Sequence, residues 1–339
     1  MANHNSANKQ NINYMIDTWN LNVIWHDLVW PLLRLLLGMG VGLFLAAFLE
    51  YMGWTRILGA FFAPVNRFGH FGPAARAAFP LAFASPMAAN GLLSEAWRKG
   101  EIDRTELILA NICNSFPASL AHLPTLFFLA WPAIGAWSLA LVLINVTVAA
   151  CRTFCALVAG RFLLPANDGG EMVGMRQASV GETGILRLQN AMKKAAGLFL
   201  KRLFRLACYT APCFLAVWLA RENGLFDMAK NWLALHLTGE VNFLEPAAIG
   251  LVLLQLLAES GASMGAAGAL METGALSGHA IVTALIFGGL LATPLRAIRH
   301  QFPTLAGFYS PAMAFWLVLA NQGSRAIFMA AALVLYVQI

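Results

Sequence analysis

Met87-Ala88-Ala89-Asn90-Gly91-Leu92-Leu93-Ser94-Glu95 is echoed later in the chain by Met264-Gly265-Ala266-Ala267-Gly268-Ala269-Leu270-Met271-Glu272. Working outward, His122-Leu123-Pro124-Thr125-Leu126 is echoed by Gln301-Phe302-Pro303-Thr304-Leu305, and Pro132-Ala133 by Pro311-Ala312. Upstream, residues 34–53 align with 205–224. The offset drifts only from about 171 to 177 to 179 residues, as one duplication with two small insertions would give. Hydrophobic halves interrupted at matching places by Gly, Pro and polar residues are the pattern of transporter-like membrane proteins. The expected fold class is an all-α integral membrane protein built of two inverted-topology repeats, each about three spans plus a helical hairpin.

Hydrophobic residues fill 59% of the 339 positions and charged residues only 11%, with a mean hydropathy of +0.67. Soluble domains carry roughly 25% charged residues, so the chain lacks the polar surface to be soluble. The net charge of +6 reads as topology signal and phospholipid contact rather than nucleic-acid binding, because the basic residues cluster between apolar stretches. The first 20 residues are polar and show no secretory leader pattern. Cys113, Cys151, Cys155, Cys208 and Cys213 all lie in apolar segments and read as buried small hydrophobes, without a zinc-type spacing. No cofactor or metal is expected.

Spanning a membrane takes about 20 apolar residues. The candidates are 31–50, 105–130, 132–158, 203–220, 281–300 and 312–337, with 105–130 broken at Asn114-Ser115-Phe116-Pro117. The Ala/Gly/Pro-rich stretches 73–97 and 246–272 read as helix–break–helix hairpins, and 54–70 and 222–238 as interfacial amphipathic helices. The expected organisation is a polar tail over 1–20, a first repeat over 21–163, a linker with a basic amphipathic helix over 164–200, and a second repeat over 201–339. Three crossings per half invert the second half relative to the first. Arg98, Lys99 and Arg104 after the first hairpin, against none of their kind from Glu272 to Ala280, place the first hairpin's end in the cytoplasm and both termini outside a bacterial inner membrane.

The first hairpin breaks at Ser85-Pro86, with Asn90 and Gly91 one turn on; the second has Glu259-Ser260-Gly261-Ala262-Ser263 at the matching place. Proline frees carbonyls, and unpaired backbone is tolerated at membrane depth only where protein or a polar cavity satisfies it. Hydroxyls and amides converging there make a solute site; the alternative is close packing of small residues. Asn111, Ser115, Ala118 and His122 recur on one helical face with Asn114 beside them, and Thr293, Arg296 and His300 repeat the spacing in the second copy. For Arg296, Arg299 and His300 the alternative is snorkelling to the interface. Arg325 falls halfway along the last span beside Asn321, Gln322 and Ser324. A mid-span charge costs about 2.5–3.5 kcal/mol on insertion scales, so Arg325 is expected to face protein or a polar cavity. Glu259 is its candidate partner, a coupling-ion ligand or a proton carrier. Glu50, Arg34, Arg152 and Arg161 read as interfacial, and Glu95 and Glu272 as solvated hairpin ends.

These hairpins, and the Pro-broken helices ending in Pro-Thr-Leu at 124–126 and 303–305, resemble the nucleoside recognition or Gate domain family. That family includes the membrane core of ferrous-iron permeases and concentrative nucleoside transporters. The resemblance covers most of 32–160 and 203–335. It implies two inverted repeats whose hairpin tips and broken helices meet near the bilayer midplane, where solute binds. Unlike the iron permeases, the chain has no G-x-x-x-x-G-K-[ST] phosphate loop.

The expected function is a multi-pass transporter or facilitator of a small polar or anionic solute, nucleoside-like or an organic anion, working by alternating access. Its substrate-binding residues would be Ser85, Asn90, Asn111, Asn114, Ser115, His122, Ser260, Ser263, Thr293, Arg296 and Arg325, with Glu259 coupling an ion. Partners would be that solute, the bilayer, and a second copy or second Gate-type subunit. The alternatives are a divalent-metal permease and a non-transporting membrane subunit. No enzyme is expected: H-E-x-x-H is absent, and Ser260-Gly261-Ala262-Ser263 has no neighbouring base.

Overall fold

The computed structural model describes residues 21–52, 54–62, 68–165, 184–224, 228, 245–257 and 260–339. The expected tail over 1–20, most of the interfacial helix over 222–238, the linker from 166 to 183, and Glu259 lie outside them. Every regular element among the described residues is helical. After Leu21–Ile24 and a π-helical turn at Trp25–Val29, the longer helices are α1 (Trp30–Met52), α2 (Trp54–Phe62), α3 (Pro73–Ala84), α4 (Pro86–Lys99), α5 (Arg104–Ile134) and α6 (Trp137–Leu163). They continue as α7 (Gly184–Glu222), α8 (Pro246–Leu257), α9 (Ser260–Glu272), α10 (Gly278–Leu291) and α11 (Pro311–Val337). Among the described residues α5, α6 and α11 are long and apolar enough to cross a membrane.

Both expected hairpins are pairs of packed helices, α3 with α4 and α8 with α9. In the first, Ser85 leaves helical geometry (φ −156°, ψ 102°), its N–H still donating to the Leu81 carbonyl. Its side-chain oxygen then caps α4 by accepting from the Ala88 N–H at 3.1 Å. Pro86 fits the first turn of α4, where no N–H partner is needed.

Two expectations about helix ends are corrected. The stretch 105–130 is not broken at Asn114-Ser115-Phe116-Pro117: α5 runs through Pro117 and Pro124 as one helix. The Ser115 hydroxyl donates to the Ile112 carbonyl at 2.6 Å and Ser119 to the Ser115 carbonyl at 2.8 Å, one on each side of Pro117. Serine hydroxyls and neighbouring helices are what let proline sit inside a membrane helix. The corresponding stretch of the second copy is irregular, passing from α10 through the short helix Thr293–Arg296 and a π-turn at Ala297–Gln301 to Phe302–Ala306. The basic segment 187–205 and the apolar 203–220 are also a single continuous helix, α7.

The chain divides into two compact units. The first comprises Met1–Leu43, Phe128–Ser138 and Phe199–Gly288. Leu35, Met39, Ile134, Leu251, Leu270 and Ile281 are buried in it, and Gly135 (φ 55°) supplies the left-handed turn between α5 and α6. Arg34 pairs with Glu272, so Glu272 is an ion-pair partner rather than a free solvated cap. The pair is half-exposed, and such pairs contribute about 0–1 kcal/mol.

The second unit comprises Phe44–Phe127, Leu139–Leu198 and Gly289–Ile339. Its core is aromatic: Phe62 stacks on Phe83 (5.9 Å between centroids) and meets Phe116 edge-on (5.3 Å), and Phe79 meets Phe83 edge-on (5.8 Å). Asp103 caps α5 by accepting the Glu106 N–H at 2.7 Å, while the buried Glu106 carboxylate accepts the Gly72 N–H at 2.6 Å. α6 passes so close to the 68–72 segment that a Cβ on Gly160 would stand 2.6 Å from the Gly69 carbonyl oxygen.

The cysteine expectation fails for three of the five. Cys113 is buried, but Cys151, Cys155 and Cys208 are exposed. A helix facing lipid is apolar on its outside too, so hydrophobic surroundings in sequence do not imply a core position.

Candidate functional site

The polar residues of the second unit gather where α4, α5, α6 and α11 meet. Asn90, one turn into α4, accepts from the Asn111 amide of α5 at 3.2 Å. The Asn111 oxygen accepts in turn from the Asn321 amide of α11 at 3.2 Å, and that amide also reaches the Asn111 backbone carbonyl at 3.3 Å. Asn321 is held on its other side by Arg152 of α6, whose guanidinium donates to the Asn321 side-chain and backbone oxygens at 2.9 and 2.8 Å and to the Ser324 hydroxyl at 3.3 Å. Four helices are thus laced by one chain of hydrogen bonds through otherwise apolar packing. The Tyr309 hydroxyl fixes the same turn of α4 by donating to the Asn90 carbonyl at 3.1 Å, and Ser94 donates to the Phe308 carbonyl at 2.7 Å.

Arg152 corrects an expectation: it is not interfacial but 4% exposed. The helix that carries it starts at Trp137 and ends at Leu163, five residues later at each end than the expected span, which moves position 152 from near the end to the middle.

Beside this chain lie two more guanidinium groups. Arg296 donates to the Gly289 carbonyl at 2.5 Å, yet its Nε is buried with no hydrogen-bond partner among the described residues. Arg325 follows Ser324 on α11, is half-buried, and makes no hydrogen bond or ion pair among the described residues. Its neighbour Ser324 accepts from Arg152, and α11 packs against the short helix Thr293–Arg296 that ends in Arg296. Two amides nearby are also incompletely used. Asn114, buried one turn along α5 from Asn111, has neither its oxygen nor its nitrogen bonded among the described residues. Gln322 donates to Gln301 at 2.5 Å but leaves its own oxygen unpartnered among them.

The expected site residues therefore separate into groups. Asn90 and Asn111 are bonded to each other. Arg296 and Arg325 lie on helices that pack together, and Asn114 is buried one turn from Asn111. Ser85 and Ser115 are used locally, in a cap and inside α5. Thr293 donates to the Gly289 carbonyl at 3.1 Å, beside Arg296. His122 is exposed and stands apart from the network, and His300 is exposed as well. Ser260 and the buried Ser263 belong to the first unit. Sequence reasoning missed Arg152 and Tyr309; the turn signal at Gly135, which sets where α6 begins, was the clue to the depth of Arg152.

No protein-family model matches the chain. It is similar to an uncharacterized protein of Methanocaldococcus jannaschii, 24% identical over 281 residues, which cover 82% of this chain and 84% of that protein. No solved structure matches.

Among the described residues no three His, Cys, Asp or Glu side chains gather as a metal site would require. Neither the Arg34–Glu272 nor the Lys99–Glu95 ion pair involves the three arginines of the cluster, and no carboxylate pairs with them among the described residues. What the arrangement offers chemically is hydrogen-bond donors with excess positive charge, held by a rigid amide framework inside an apolar helical unit.

Proposed function

We propose that the chain is a membrane-embedded transporter or facilitator, and that the polar cluster of the second unit binds its small polar solute. One observation carries this reading: Arg325 and Asn114 sit beside a fully formed amide chain, yet bond to nothing among the described residues. A network that only glues helices would use its groups on each other, as Asn90, Asn111 and Asn321 do. Groups left open at a cost point to a ligand.

The duplicated sequence and the helix–break–helix hairpins support inverted repeats and an alternating-access cycle. The resemblance to the Gate domain family supports the same reading, and the distribution of Lys and Arg supports a cytoplasmic membrane with both termini outside.

The test is flux into proteoliposomes holding the purified protein, with a labelled panel of nucleosides, amino acids, dicarboxylates and phosphate. At least one compound should enter faster than into protein-free vesicles. Asn114→Ala, which has no bond to lose, should cut that flux about tenfold, an effect on the order of 1.4 kcal/mol. Flux unchanged in both Asn114→Ala and Arg325→Gln would place the path elsewhere.

A further inference from the structure

The unpartnered groups also define the charge of what binds. This inference rests on the cluster of the second unit being a solute site. Arg152 is bonded, but only to neutral oxygens of Asn321 and Ser324, so its positive charge is not neutralised. Arg296 is bonded to one carbonyl and keeps a buried Nε–H unused among the described residues. Arg325 keeps all its donors among those residues. Three guanidinium groups in one unit, without a described carboxylate partner, leave an uncompensated charge that an apolar helical environment tolerates poorly. A neutral sugar or base would satisfy hydrogen bonds but would leave that charge untouched.

We propose that Arg325 and Arg296 bind a small free oxyanion carrying at least two negative charges, of the phosphate, sulfate or dicarboxylate class, with Arg152 and Asn321 fixing the frame. The planar guanidinium fork matches carboxylate and phosphoryl oxygens two at a time, and the buried amide of Asn114, one turn along α5 from Asn111, is a neutral donor with no partner among the described residues. A lipid headgroup offers the same oxyanion chemistry. It fits less well, because Arg325 lies 14 residues from the start of α11 and 12 from its end. At 1.5 Å per residue that is about 18–21 Å from either end of the helix. Arg152 is similarly deep in α6.

The test uses the purified full chain in detergent, measuring thermal unfolding with millimolar sulfate, phosphate or succinate against chloride at matched ionic strength and against uridine. Millimolar concentrations keep the experiment below the range where excluded salts stabilise proteins generally. At least one dianion should raise the melting temperature by about 3 °C or more by mass action, with no such rise from chloride or uridine. Arg325→Gln should abolish the response while melting, without anion, at the wild-type temperature or above it, because a half-buried charge without a described partner has been removed. A role confined to structure would lower that temperature instead. If Arg325→Gln does not yield folded protein, Arg296→Gln carries the same expectation.

A dianion response equal to that of chloride, or one retained in the variants, would overturn the proposal. So would a response confined to nanodiscs containing phosphatidylglycerol, absent from phosphatidylcholine and free anions, since a headgroup would then be the ligand. Dianion binding without flux of any compound would refute transport and leave this inference standing. Flux of a neutral solute with no dianion response would do the reverse.

Discussion

At the scale of single residues, neighbouring asparagines on one helix carry opposite expectations. Asn111 is bonded on both sides, to Asn90 and Asn321. Asn111→Leu leaves the Asn90 side-chain oxygen without its donor and the Asn321 amide with only the backbone carbonyl of position 111, and a buried polar group left unpaired costs about 1–3 kcal/mol. Asn114 has no such bonds among the described residues, so Asn114→Leu should cost less than about 0.5 kcal/mol or raise stability, while removing solute binding. Thermal unfolding of the two variants in the same detergent checks the contrast. Equal losses would mean that Asn114 is bonded after all. The chemistry of Asn111, Asn114 and Arg325 was legible in the sequence, since polar residues at helical spacing in apolar surroundings are conspicuous. Arg152 was not, because its depth depends on where α6 starts, and helix boundaries are the least readable feature of an apolar sequence.

At the scale of elements, the first hairpin was legible because local chemistry dictates it. Ser85 caps and Pro86 begins a helix regardless of what lies around them. Ser85→Ala should therefore cost about 1 kcal/mol, read as a lowered unfolding midpoint. The helix through Pro117 was misread because a proline removes a single N–H, the partner of the Cys113 carbonyl, and need not end a helix whose other bonds persist. Close helix approach is another feature that sequence hides among many glycines. Gly160→Ala would push a methyl to 2.6 Å from the Gly69 carbonyl, and overpacking of this kind costs about 1–3 kcal/mol. A stability unchanged by that substitution would mean that the 68–72 segment yields freely.

At the scale of the whole molecule, membrane insertion follows from composition and from three helices long and apolar enough to cross. The proposed inversion of the repeats makes its own prediction. In a chain stripped of its five cysteines, Arg98→Cys should react with an impermeant thiol reagent from the cytoplasmic side alone, and Thr273→Cys from the outside alone. Labelling of both from one side would mean that the repeats are parallel.

The most direct measurement places the reporter inside the proposed path. Asn114→Cys in the same background is exposed to impermeant thiol reagents from each side of sealed vesicles, with and without sulfate, phosphate or succinate. A solute site reached by alternating access predicts that the cysteine reacts from at least one side and that the bound oxyanion slows the reaction. A cysteine unreactive from both sides, or one that reacts at the same rate whatever anion is present, would contradict a solute site in the second unit.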